Sequence, residues 1–343
     1  MENLMVLDGD SEAQLYQRLK PSKELEKIIA LYAVEYHKEE VIETYLDFLR
    51  AGAQIIRTNT YRLSDYTIEK YFKPESSQFY TELMEKSVKL ARAAVTKYLE
   101  EKRKDPKYSE LFDRCEILVA GCCGSSVVSE CVDKYELTLK DTQIAAQLIY
   151  FHHNDRVIEL VKYGVDILTF ESIPSLVETD IIISIMKRHH PIRGWITFLC
   201  RADGKLLDGN TLETVAMRCY DALGHQIIAI GAECPVPDVM KSIVLDIGIL
   251  KLSHEVQVPF VLYIDKVHLP ITENKEASNS LMSDYVDEWL DHGIRYIGGG
   301  INTRPEDVAL IRKQVDDYRI FSQRPFTTLR PSSYKTTKKQ SKL

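Results

Sequence analysis

The sequence predicts an α/β protein built as a single (β/α)8 TIM barrel with a flexible basic C-terminal tail, and three observations carry that prediction. Eight short apolar runs are each bounded by turn residues, and the segments between them carry helical periodicity. The runs are also apolar on successive residues, as parallel strands buried on both faces require. A strand and helix repeated eight times favours a closed barrel, with a doubly wound open sheet as the alternative. No G-x-G-x-x-G follows a strand in a helix-opening turn, which weakens the dinucleotide-binding form of that alternative.

In chain order the strand runs are 4–9 (LMVLDG), 53–61 (AQIIRTNTY), 116–124 (EILVAGCCG), 165–172 (VDILTFES), 193–200 (RGWITFLC), 226–234 (QIIAIGAEC), 258–265 (VPFVLYID) and 294–300 (IRYIGGG). Helices are expected at 75–104, 138–163 and 304–317, among others; in the second, Ile144, Leu148 and Phe151 share one face by helical spacing, a face suited to covering the sheet. The charged segment 99–115, which contains Pro106, reads as a surface excursion before the third strand. No inter-domain linker interrupts the pattern, so residues 1–320 are assigned to one barrel and 321–343 to the tail.

Composition bounds the function. Of 343 residues, 45% are hydrophobic and 28% charged, ordinary globular values that exclude a disordered or collagen-like chain. No stretch approaches the ~20 apolar residues needed to cross a bilayer, and the N-terminus lacks the basic flank and apolar run of a secretory signal. The expectation is a soluble intracellular protein with no membrane partner. Seven scattered cysteines, an odd number, fit reduced thiols better than a disulfide framework. The net charge is −7, and the last residues hold Arg330, Lys335, Lys338, Lys339 and Lys342 without an acid, so the folded part is more acidic still. That argues against nucleic acid as a partner. Ser341-Lys342-Leu343 at the C-terminus matches the tripeptide read by the peroxisomal import receptor, displayed on a basic segment. The expected location is the peroxisome, and otherwise the cytoplasm.

Active sites of such barrels lie at the C-terminal ends of the strands. The residues falling there include Asp8, Thr58 to Tyr61, Cys122, Cys123, Glu171, Cys200, Cys234, Asp265 and the glycines 298–300. Asp8 and Glu171 end otherwise apolar strands, and a buried carboxylate is costly without a hydrogen-bonding partner or a cation. A bound ammonium group would serve; a helix cap for Asp8 and a backbone or arginine partner for Glu171 would serve equally. Cys234 places a thiol at the end of the sixth strand, where inert packing and metal ligation are both open. Cys122 and Cys123 are adjacent, so only one of them can face the mouth. His152-His153 and His189-His190 read as solvated surface.

Together these landmarks resemble the homocysteine S-methyltransferases. LDGDSEAQL resembles that family's opening LDGG-x-x-T-x-L, AGAQIIRTNTY its GAD-x-I-x-TNTY, ILTFESIP its LLAFETIP, ITFLCRADGKLLDGNTL its S-F-x-x-x-DG-x-x-x-DG segment, and IGGGINTRPEDVALIR its IGGCCRTTPEDIRAIR. The resemblance runs from about residue 4 to 317. It implies a zinc-dependent barrel that moves a methyl group from a donor such as S-methylmethionine or betaine to homocysteine sulfur, giving methionine. It also implies that Asp8 and Glu171 hold the amino group of a homocysteine-like amino acid, with Thr58 nearby. A free thiol has a pKa near 8.5, so a zinc ion held by three thiolates is what would make the acceptor sulfur nucleophilic near neutral pH. Within the resemblance GAEC supplies one zinc ligand, Cys234, whereas Gly300 and Ile301 stand where the two cysteines of GGCC would be. Asp10 replaces the second Gly of LDGG, Gly124-Ser125-Ser126-Val127 replaces G-P-Y-G, and Glu233 replaces the Asn of GxNC. The expectation is therefore a divergent member whose zinc is absent or weak, with Cys122, Cys123 and Cys200 as the thiols from which a rebuilt site would have to come.

Overall fold

The computed structural model describes residues 4–104, 116–126, 142–233, 259–266 and 286–322. All eight predicted strands are present among them: β1 (Met5–Val6), β2 (Ile55–Arg57), β3 (Leu118–Gly124), β4 (Ile167–Ile173), β5 (Gly194–Leu199), β6 (Ile227–Glu233), β7 (Phe260–Ile264) and β8 (Ile294–Gly299). They form one parallel sheet in the order β1-β8-β7-β6-β5-β4-β3-β2, and a parallel bridge between Leu7 and Ile55 joins its two ends. The sheet is thus a ring, the (β/α)8 barrel.

The ring explains the continuous apolar runs, because each strand buries both faces. Alternate residues point inward: Leu7, Ile55, Ala120, Ile167, Trp195, Ala229 and Val261 pack on one another as the barrel's plug. Their neighbours Val6, Ile56, Val119, Leu168, Ile196, Ile230 and Leu262 face outward and join the larger core under the helices. Trp195 is the largest inward side chain; its indole N–H donates to the Tyr263 hydroxyl at 2.8 Å, so the one polar atom of the plug is satisfied.

The helical layer is α1 (Ser11–Leu19), α2 (Lys23–Glu26), α3 (Ile29–Tyr36), α4 (Lys38–Arg50), α5 (Asp65–Tyr71), α6 (Phe79–Arg103), α7 (Thr142–Lys162), α8 (Leu176–Arg188), α9 (Leu212–Leu223) and α10 (Pro305–Ser322). Several start where the sequence supplies a side-chain oxygen for the otherwise unpaired first-turn N–H groups. Asp10 accepts from Glu12 and Ala13, Ser64 from Thr67, Ser175 from Glu178 and Thr211 from Thr214. No helix of the described residues is long and apolar enough to cross a membrane.

The face assigned to α7 needs correction. Leu148 and Phe151 are exposed, whereas Ile149, His153, Arg156, Val157 and Leu160 are buried. The sheet-facing stripe contains a histidine and an arginine, so apolar periodicity alone selected the wrong side. His152 and His153 are accordingly not solvated surface. Of the charged excursion, α6 carries the chain to Arg103, and residues 105–115 lie outside the described residues, as do 323–343 of the tail.

Candidate active site

The barrel's parity places functional groups at the mouth. On β2, Ile55 points inward, Ile56 outward and Arg57 inward again, so an arginine rises from the plug into the C-terminal opening. There it meets both carboxylates singled out above. The Arg57 Nε donates to Asp8 Oδ1 at 2.7 Å, and its backbone N–H donates to Asp8 Oδ2 at 2.8 Å. The Nη1 donates to Glu171 Oε2 at 3.4 Å, and the Nη2 donates to the carbonyls of Gly9 and Gly299 at 3.0 and 3.2 Å. The guanidinium lies 4.5 Å from the centre of the Tyr263 ring, within cation–π range.

Glu171 is held from its other side. Its Oε1 accepts from the Thr169 hydroxyl and the Tyr263 hydroxyl, each at 2.9 Å. Asp8 does not cap α1, as one reading of the sequence had it; Asp10 does, and Asp8 is spent on Arg57. Thr58 turns aside from the carboxylates. Its hydroxyl pairs with that of Thr60 at 2.7 Å and accepts from the Cys122 backbone at 3.0 Å, fixing the end of β2 against β3.

A second cluster lies beside the first. Glu233 at the end of β6 accepts from the Ser172 backbone at 2.9 Å, from the Ser172 hydroxyl and from Thr197. The Tyr61 hydroxyl lies 2.6 Å from that of Ser172. Ser172 has φ of 61°, a left-handed conformation uncommon for serine, at a register shift between β4 and β5. That conformation turns both the N–H and the hydroxyl of one residue onto Glu233.

Burial sets the protonation of these groups. It raises the Asp8 carboxyl above its ordinary range against the pull of Arg57, and it raises Glu233, with the nearby Glu171 adding to the effect. Burial opposes the charge on Arg57, but Asp8 and Glu171 outweigh it and hold the guanidinium firmly charged. Cys122 is the member of its pair that shares the mouth with Glu171 and Thr169, and burial pushes its thiol well above the usual range; Cys123 packs under the helices. The thiol in the mouth is therefore protonated at neutral pH, a poor nucleophile.

Beneath the loop after β3 sits a buried polar brace. Arg156 donates to the carbonyls of Gly124 and Tyr61 at 2.7 and 3.4 Å, tying the ends of β3 and β2 to α7. His153 lies 2.7 Å from Glu178, and Ser126 donates to that carboxylate through its backbone and its hydroxyl, each at 2.8 Å.

Whether these residues fit a zinc ion turns on the donors. Cys234 lies outside the described residues. Gly300 and Ile301 carry no donor side chain, and Ile301 is 65% exposed. A Cβ at position 300 would overlap Asp265 Oδ1, which accepts from the Ile301 N–H at 2.7 Å. Of the other thiols named above, Cys200 is buried and directs its sulfur to the Phe198 carbonyl at 3.6 Å. The described residues do not fit a three-thiolate zinc ion at this corner.

The sequence reading missed Arg57, Tyr263 and Ser172. The signal for Arg57 was present: a charge two residues after an inward isoleucine, at the parity of a buried side chain. Tyr263 shares that parity with Val261, but a tyrosine in a strand passes as packing.

Comparison with known proteins is consistent with this geometry. The family model described as homocysteine S-methyltransferase matches residues 5–315. The betaine-homocysteine S-methyltransferase of Drosophila melanogaster is 27% identical over 298 residues, 82% of this chain and 85% of that one. The homocysteine S-methyltransferase of Escherichia coli is 28% identical over 323 residues, 91% of this chain and 95% of that one. The crystal structure of the metallated homocysteine methyltransferase MmuM from Escherichia coli superposes with a TM-score of 0.73 at 24% identity, covering 91% of this chain and 96% of that one.

Proposed function

Because the chain belongs to the homocysteine S-methyltransferase family, we propose that it is a homocysteine S-methyltransferase-like protein whose zinc-dependent methyl transfer to homocysteine is lost or altered. The observation that carries the reading is the corner at Gly300, where Asp265 Oδ1 takes the space of a side chain and Ile301 offers no donor. Without thiolates at these positions the acceptor sulfur stays near its free pKa of roughly 8.5 and is mostly protonated at neutral pH.

The test is the zinc content of freshly purified full-length protein, with Cys234→Ala as control, followed by methyl transfer from betaine or S-methylmethionine to homocysteine. The reading expects far less than one zinc per chain and no chelator-sensitive transfer. Stoichiometric zinc that disappears in the control, with transfer abolished by a strong chelator, overturns it and points to a rebuilt thiol site or another acceptor.

A second reading, a metal-free protein that binds a small amino acid or sulfur metabolite through Asp8 and Glu171, is favoured by the convergence of these two carboxylates on one cation at the mouth. Melting temperatures across a panel of amino acids and their sulfur analogues separate the two, since a ligand at 100 times its dissociation constant adds about 2.7 kcal/mol. For location, Ser341-Lys342-Leu343 supports import by the peroxisomal receptor. Deleting the tripeptide moves a tagged chain from puncta to the cytosol on this reading; an unchanged pattern rejects it.

A further inference from the structure

Two buried carboxylates converging from different strands on the mouth of a barrel make a slot for one organic cation, and here the slot is filled from within. Asp8 is 1% and Glu171 5% exposed, while the Arg57 side chain retains 14% at the opening. Each Asp8 oxygen accepts from Arg57; the Glu171 oxygens are shared among Arg57, Thr169 and Tyr263. The planar guanidinium spans both acids and rests on the Tyr263 face, so a cation tethered to β2 already fills the slot.

We propose that Arg57 is a specificity-determining residue: its guanidinium occupies the cation slot between Asp8 and Glu171, so the barrel rejects ligands through their free ammonium group and takes small sulfur compounds without one. An incoming ammonium would have to displace a guanidinium held by four side-chain donations and an aromatic face, and would add a positive charge beside it. This deepens the proposed function and rests on one part of it, that the small-molecule slot lies between Asp8 and Glu171. It does not depend on the metal.

The experiment compares wild type with Arg57→Ala and Arg57→Lys by calorimetric titration and melting temperature, using L-homocysteine, its des-amino analogue 4-sulfanylbutanoate, and methylguanidinium at concentrations far below denaturing ones. Wild type and Arg57→Lys are expected to bind L-homocysteine no more tightly than the analogue. Arg57→Ala is expected to gain at least about tenfold in preference for L-homocysteine over the analogue, and to be stabilised saturably by methylguanidinium, which leaves wild type unmoved. Amine-dependent binding by wild type, or an alanine variant indifferent to methylguanidinium, overturns the proposal. Should Arg57→Ala not fold alone, refolding is scored with methylguanidinium against an equal concentration of sodium ion; recovery with the former only supports the proposal, and no difference overturns it. Failure of the zinc reading is distinguishable, since metal content and chelator sensitivity do not enter a comparison of amine with des-amine ligand.

Discussion

His153 is buried against Glu178, and its Nδ1 has no partner among the described residues, so a proton there would sit in the core without an acceptor. The ring is therefore neutral and donates from Nε2. Burial lowers the His153 pKa against the pull of Glu178. Burial would raise Glu178, but the hydrogen bonds from His153 and Ser126 prevail and lower it. Both shifts have the same sign for stability. The unfolded chain takes up a proton on the histidine below about pH 6.5 and on the glutamate below about 4.5, before the folded chain does, so acid destabilises. Wild type should lose stability between those values in denaturant titrations, and His153→Gln should flatten the upper part of the loss. An unchanged slope would mean the imidazole is charged when folded. At Gly300 the expectation is steric: Gly300→Ala should cost about 1 to 3 kcal/mol. An additional Asp265→Ala change should remove most of that cost in a double-mutant cycle, because the overlap is with Oδ1. The candidate site was half legible for the same kind of reason. Asp8 and Glu171 stand out as acids closing apolar strands, whereas Arg57 lies 49 positions from Asp8 and 114 from Glu171, and only the closed ring makes it their partner.

Elements were legible where one physical signal dominates. Runs such as IIAIGAE and ILTFESI are apolar on consecutive residues, and both became strands. Helix α7 was misread because Arg156 and His153 occupy its inner stripe while Phe151 faces out, an inversion that pays off in tertiary contacts invisible to periodicity. Caps were more transparent. Ser175 accepts from Glu178 at the start of α8, and the same turn aims the Glu178 side chain into the brace. Ser175→Ala should lower stability by about 1 kcal/mol in urea unfolding with little change in slope. A loss several times larger would mean that the cap also positions Glu178. Trp195→Ala removes the largest plug residue and leaves the Tyr263 hydroxyl with one partner fewer, so a cost of about 3 to 5 kcal/mol is expected from the cavity.

At the scale of the molecule, eight repetitions of one unit made the barrel readable even though α7's face was not, because a ring needs only the strands and their order. The ring has a seam. Strand β1 pairs with β8 through Met5 with Tyr296 and Val6 with Ile297, partners roughly 290 positions apart, and among the described residues a single isolated bridge, Leu7 with Ile55, pairs its end with β2. Without β8 the sheet is open, with edges at β1 and β7. Such edges are templates for pairing with other chains. A chain ending before Ile294 should aggregate in light-scattering assays, while the full chain should refold with its slowest phase set by seam closure and quickened least by stabilising α8. The first strand of the ring thus depends for its pairing on the last, and the short ladders that hold it end beside Asp8.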